Sequence, residues 1–257
     1  MATTTMAAQR LGKLRLGKLP VRTDVRTLSL ARYLDLQALP APPAIFAETA
    51  KVTDWPMYAN DRVGDCTTAA AAHMIEAWTA AARGQAVVIT EQAVLDAFDR
   101  VKLVDPMTGE EGAIELDVLR YWRKYGIGEH TIGAYARVSV NSTPLARTGA
   151  WLFGGLYIGL QLPLTAQGED VWDWAGSLAG DARPGSWGGH AVDVVGYDPE
   201  GLTVVTWGRL KRMTWSFWDR YCDEAYCILS EDFLDEGRAP NGFDLAALKA
   251  DLALVTA

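Results

Sequence analysis

Apolar and polar positions along the first half of the chain alternate with a helical period. Residues 67–83 read TTAAAAHMIEAWTAAAR, which predicts a long helix stopped by Gly84, with Ala70, Ile75, Trp78 and Ala82 as its buried stripe. TEQAVLDAFDRV (90–101) predicts a second helix with Thr90 as its N-cap. AIELDVLRYWRKY (113–125) predicts a third, ended by Gly126, and a short fourth follows Pro144. After residue 154 the period changes. GLYIGLQL (155–162), HAVDVVGY (190–197) and LTVVTW (202–207) are β-branched and aromatic runs bounded by Gly, Pro or Asp, and they predict strands. A further strand, a short helix and a last strand fit residues 211–229. Helices first and strands later predict an α+β protein with a cleft between two lobes.

The ends break this pattern. Pentapeptide RLGKL occurs twice, at 10–14 and 15–19, and is closed by Pro20. Its glycines disfavour a helix, so an extended segment is expected, with a short helix over 25–36 and a stiff LPAPPA linker at 39–44. FDLAALKADLALV from 243 predicts an amphipathic helix with Leu245, Leu248 and Leu252 on one face. The expected organisation is a basic arm and Pro-rich linker (1–44), a folded body (45–235) and a C-terminal tail (236–257).

Charge sharpens the division. Residues 1–32 hold seven Lys/Arg and one acid, Asp24, within a chain of net charge −8, so a basic arm is joined to a body of about −14. Such an arm docks on a larger protein assembly, on nucleic acid, or back on its own acidic body. No apolar run is long enough for a membrane span, and the first residues lack a signal peptide's apolar segment, so a cytoplasmic protein, or a virion-borne one if phage-encoded, is expected. Three cysteines (Cys66, Cys222, Cys227) and three histidines exclude a disulfide framework and argue against a metal centre; no cofactor is expected.

One cysteine stands apart. In NDRVGDCTTAAAAH (60–73), Cys66 occupies the first turn of the predicted long helix, where the macrodipole and free N–H groups favour a thiolate. Asn60 offers an amide that can join the Cys66 N–H in holding an oxyanion. GGHAVDVVGYD (188–198) puts His190 at the start of a strand, behind glycines that let another chain approach.

These segments resemble the papain-like cysteine peptidases over residues 50–230. The matching features are DW at 54–55, an amide six residues before Cys66, GHAVDVVGY around His190, WG at 207–208, and GAIELDVLRYWRKYGI at 112–127. The resemblance implies an α+β, two-lobed papain-like fold, with a helical lobe carrying the central cysteine-bearing helix and an antiparallel β-sheet lobe. It implies Cys66 as nucleophile, His190 as general base and acid, Asn60 as oxyanion donor, and Gly64, Asp65, Gly189 and Trp207 as substrate-binding residues, with Trp207 shielding the thiolate–imidazolium pair. No metal and no cofactor enters that chemistry.

Departures from the pattern matter. The asparagine that orients the imidazole in that family has no counterpart: counting back from Trp207 gives Val205, and counting forward from His190 gives Thr206, a hydroxyl able to accept from the ring. Asp193 falls on the strand face opposite His190. Asp65 stands beside Cys66, where a carboxylate caps the helix or raises the thiol pKa. His73 is expected to be a core histidine, His130 a solvated loop residue, VWDW (171–174) mainly packing, and Cys222 and Cys227 packed thiols. The expected function is a cysteine peptidase or amidase cleaving peptide or isopeptide bonds of a peptide or protein substrate. The alternative is a catalytically weak structural protein anchored through residues 1–44 to an assembly such as a phage virion.

Overall fold

The computed structural model describes residues 14–32, 41–107 and 109–233. The first copy of RLGKL, except Leu14, the end of the helix expected over 25–36, the start of LPAPPA and the expected tail helix lie outside the described residues. No helix among the described residues is long and apolar enough to cross a membrane.

Among the described residues, five α-helices form where the local signals place them. α1 (Cys66–Arg83) ends at Gly84, whose φ of +77° is the left-handed stop that glycine adopts without strain. In α2 (Glu91–Val101) the Thr90 side chain accepts from the Ala93 N–H, and in α3 (Glu115–Tyr125) two acids, Glu115 and Asp117, lie in the first turn. α4 (Thr143–Phe153) is capped by Ser142, and α5 is Trp215–Tyr221. α1 is buried on every side rather than along one stripe: Ala70, Ile75 and Trp78 are enclosed, while Ala82 is only half-buried. A helix of alanines between a sheet and two other helices has no solvent face to keep polar. Trp78 stacks on Trp122 of α3 at 5.7 Å, and its indole donates to the Phe153 carbonyl.

The strands are β1 (Leu28–Ser29), β2 (Phe46–Ala47), β3 (Leu103–Val104), β4 (Glu111–Gly112), β5 (Ile132–Arg137), β6 (Leu156–Leu162), β7 (Val171–Trp172), β8 (Gly188–Tyr197), β9 (Gly201–Thr206), β10 (Arg209–Thr214) and β11 (Cys222–Ser230). Nine of them form one sheet in the order β1-β5-β11-β6-β8-β9-β10-β7, with β2 also paired to β8, and β3 pairs β4 apart. The sheet is antiparallel except for parallel pairs at its two ends. β5 had no clear sequence signal, because IGAYAR mixes glycine and alanine with its β-formers.

Residues 14–32 fold back onto the body. Instead of a helix over the described part of 25–36, Leu28–Ser29 pairs with Ala136–Arg137 and a single 3-10 turn follows at Leu30–Arg32. Arg22 grips Asp117 with both carboxylate oxygens at 2.6 and 2.7 Å, and Arg120 pairs with Asp24. Of the partners considered for the basic arm, this stretch takes the acidic body of its own chain.

Candidate active site

Cys66 opens α1, and the helix N-terminus aims it at the start of β8. Its Sγ accepts a hydrogen bond from the Ala191 N–H at 3.4 Å. Asn60 is buried in the preceding turn, which Tyr58 and Ala59 enter with positive φ, and its amide donates to the Val63 carbonyl at 3.2 Å. His190 stands in β8 opposite Leu160 of β6. Its Nε2 lies 2.7 Å from Thr206 Oγ1, at the end of β9, and its buried Nδ1 has no hydrogen-bond partner. Trp207 covers the ring face to face, with centroids 4.2 Å apart and planes 16° apart, and Trp187 continues the aromatic cover. Cys66, Asn60, His73, His190, Thr206 and Trp207 line one small cavity.

The site is closed to solvent, with Cys66 and His190 each 1% exposed, which sets its protonation. Burial pushes the Cys66 thiol up to about 12, with Asp65 adding to the rise and the Ala191 and Gly17 amides opposing it. Burial holds His190 down at about 3. The resting pair is therefore a neutral thiol beside a neutral imidazole. Asp65 occupies the N-cap position, but its side chain makes no cap hydrogen bond; fully buried, it is pushed up to about 8, so its carboxylate adds to the rise of the thiol only as it ionises near that pH.

The cleft is filled by the chain's own residues 14–19. Lys18 N–H donates to the Gly189 carbonyl (3.1 Å), Leu19 N–H to Ala113 (2.9 Å), and Ala113 N–H to Gly17 (2.8 Å). Arg15 N–H donates to the Asn60 carbonyl, and the Arg15 carbonyl accepts from the Trp207 indole at 3.1 Å and from the Asn60 amide at 3.5 Å. Gly17 passes so close to Gly64 that a Cβ on it would lie 1.7 Å from the Gly64 carbonyl oxygen; a Cβ on Gly189 would lie 2.1 Å from the Lys18 carbonyl oxygen. Gly64 and Gly189 thus act as bare walls, which is the role glycine fills where two backbones must touch. The Gly17 carbonyl points to Ala113 while its amide faces the thiol.

The ammonium of Lys18 enters a second, acidic pocket. It lies 2.9 Å from Asp223 and 3.0 Å from Glu224, with Glu115 also acting on it. Burial pulls against the charge, but Glu115, Glu224 and Asp223 more than offset it and hold the ammonium's pKa above its ordinary value. None of these acids carried a sequence signal: they sit on α3 and β11, 108 positions apart at the nearest. Gly159 inside a strand was the available hint of a close approach.

His73 is buried, with Nε2 2.8 Å from the Pro56 carbonyl, and burial holds it at about 4. His130 is not a solvated loop residue: its Nδ1 lies 2.8 Å from Asp232, with the side chain 16% exposed, because a bridge to Ile127 folds its turn inward. Trp172 is core, stacked on Phe217, whereas Trp174 is exposed with Arg220 over its ring. Cys222 and Cys227 are buried free thiols. Asp193 is buried and makes no hydrogen bond, leaving Thr206 as the partner of His190.

No family model matches the sequence, and no curated protein matches it either. Solved structures do match. Xylellain, a cysteine protease from Xylella fastidiosa, superposes with a TM-score of 0.61 at 16% identity over 85% of this chain and 97% of that one. Procathepsin B from Trypanosoma congolense gives 0.57 at 15% identity over 86% and 88%, and a Carica candamarcensis cysteine protease in complex with E-64 gives 0.53 at 17% over 73% and 99%. At these identities the likeness speaks for the fold, and it agrees with the helix-then-sheet order described above: the chain has the papain-like cysteine protease fold.

Proposed function

We propose that the protein is a cysteine hydrolase of peptide or isopeptide bonds, held idle by residues 14–19 until they leave the cleft. The observation that carries this reading is the convergence of Cys66, the His190–Thr206 pair and Asn60 on one cavity beside a groove that already binds a peptide main chain. With Nε2–H donating to Thr206, Nδ1 is free to take the thiol proton. Once the arm departs, water and substrate dipoles replace the dry contacts, and the neutral pair can become thiolate and imidazolium.

The thiolate attacks the substrate carbonyl carbon, and the oxyanion that forms is held by the Asn60 amide and the Cys66 N–H. Collapse breaks the C–N bond and the imidazolium protonates the leaving amine, which leaves a thioester on Cys66. His190 then takes a proton from water, hydroxide adds to the thioester, and the acid departs as the thiol is restored. Nothing in these steps needs an added co-reactant.

The test uses the full chain with Gly17→Ala, which the Gly64 wall excludes from the groove. Hydrolysis of fluorogenic peptide amides is expected, and it is lost in Cys66→Ala and His190→Ala forms of that variant. A Cys66 that reacts with iodoacetamide at pH 6 no faster than an ordinary thiol, with no amide cleaved, refutes the reading and leaves the idle structural body.

A further inference from the structure

We propose that the pocket filled by Lys18 is a specificity site for a lysine-type ammonium side chain, and that the peptides cleaved in this cleft place such a side chain there. The inference rests on the hydrolase reading for its second half and on geometry alone for its first.

The groove itself is indifferent to sequence. Its hydrogen bonds to residues 15–19 from Asn60, Ala113, Gly189 and Trp207 all meet main-chain groups of the segment, which any peptide can supply. The pocket is not indifferent. Gly159, in β6, leaves the space through which the lysine stem passes: a Cβ there would lie 2.0 Å from Lys18 Cε, 2.7 Å from Glu115 Oε1 and 2.8 Å from Glu224 Cγ. No positive φ is involved, so the missing side chain makes room and serves no turn. Glu224 is paired in register with Gly159 across β11 and β6, while Asp223 occupies the irregularity between Cys222 and Glu224 that turns it toward the pocket. Both acids are themselves oriented: the Gln161 amide donates to Asp223 at 2.6 Å, and the Tyr226 hydroxyl donates to Glu224 at 2.9 Å.

The side chains of Lys18 and Glu224 are wholly shielded from solvent, and both oxygens of the buried Glu115 carboxyl lack a hydrogen-bond partner. Glu115 is pushed well up by burial and then by Glu224, and Lys18 opposes that rise. Any chain that displaces the arm must therefore bring its own cation or leave Glu224 and Asp223 without a counter-charge. A neutral side chain of equal length fills the space and fails the electrostatics. The arm carries the matching pentapeptide twice, at 10–14 and 15–19, with a lysine at the same place in each.

The test separates binding from chemistry. In full-length Gly17→Ala/Cys66→Ala protein, affinity is measured by calorimetry for acetyl-Arg-Leu-Gly-Lys-Leu-amide and for the same peptide with norleucine in place of lysine. The lysine peptide is expected to bind at least about 30-fold tighter, the lower end of what breaking a buried charge pair costs. Glu224→Gln is expected to bring the ratio below about threefold; should that variant fail to fold, the two peptides on the unchanged pocket still decide. Equal binding, or no binding of the lysine peptide, overturns the inference. In Gly17→Ala protein that keeps Cys66, cleavage of peptide amides without a lysine preference also overturns it while sparing the hydrolase reading. Lysine-selective binding with no cleavage of any amide supports the pocket and sinks the hydrolase instead.

Discussion

Gly17→Ala tests whether the arm governs the thiol. The new Cβ would lie 1.7, 2.3 and 2.6 Å from the carbonyl oxygen, carbonyl carbon and Cα of Gly64, all of them backbone atoms that have no rotamer to yield. Relief requires the segment to lift, and lifting it breaks the bonds on either side. Five hydrogen bonds of 3.1 Å or shorter hold it: Arg15 to Asn60, Trp207 to Arg15, Ala113 to Gly17, Lys18 to Gly189 and Leu19 to Ala113. At about 1 kcal/mol net each they amount to roughly 5 kcal/mol, before the Lys18 ion pairs, which keeps the cleft open less than about one part in a thousand of the time. The variant should therefore raise the alkylation rate of Cys66 by iodoacetamide at pH 7.5 by roughly a thousandfold. Mass spectrometry reads this site by site, and the buried Cys222 and Cys227 serve as references whose rates stay unchanged. A folded Gly17→Ala protein whose Cys66 reacts at the parent rate would refute the idea that these residues seal the site.

Three further outcomes follow from particular contacts. Thr206→Val keeps the shape but removes the acceptor 2.7 Å from His190 Nε2; in arm-released enzyme kcat should fall roughly 10- to 100-fold with KM unmoved, and an unchanged kcat would remove Thr206 from the mechanism. Trp207→Phe keeps the stack on His190 and deletes the indole donor to Arg15, so Cys66 alkylation in the otherwise intact chain should quicken about fivefold, the equivalent of one hydrogen bond. Asp65 is raised by burial to about 8, so the fold tolerates its protonated form: its contribution is intact below the ordinary value near 4 and is lost as pH rises toward 8. Asp65→Asn should leave Tm unchanged at pH 4 and raise it at pH 8, and an equal difference at both values would contradict the assigned cause.

Much of the fold was legible because its signals are local. Thr90, Gly84 and Gly126 start and stop helices through their own backbone and side-chain chemistry, whatever surrounds them. The grouping of Asn60, Cys66, His190 and Thr206 was legible for a related reason: each lies in a short segment whose residue types carry the pattern, and strand alternation already separated His190 from Asp193. β5 and the all-round burial of α1 were not legible, since alanine and glycine positions take their burial from neighbours rather than from their own character.

By itself, then, the sequence determined the element order, the papain-like pattern and the existence of a basic, glycine-containing arm. Only the tertiary structure decided where residues 14–32 of that arm go. Seven positive charges state that residues 1–32 seek negative partners, but charge has no address until folding brings Glu115 of α3, Asp223 and Glu224 of β11 and the gap at Gly159 of β6 around one lysine. The same assembly removed water from Cys66 and His190, so whether the thiol is reactive depends on what lies across it, which no spacing along the chain records.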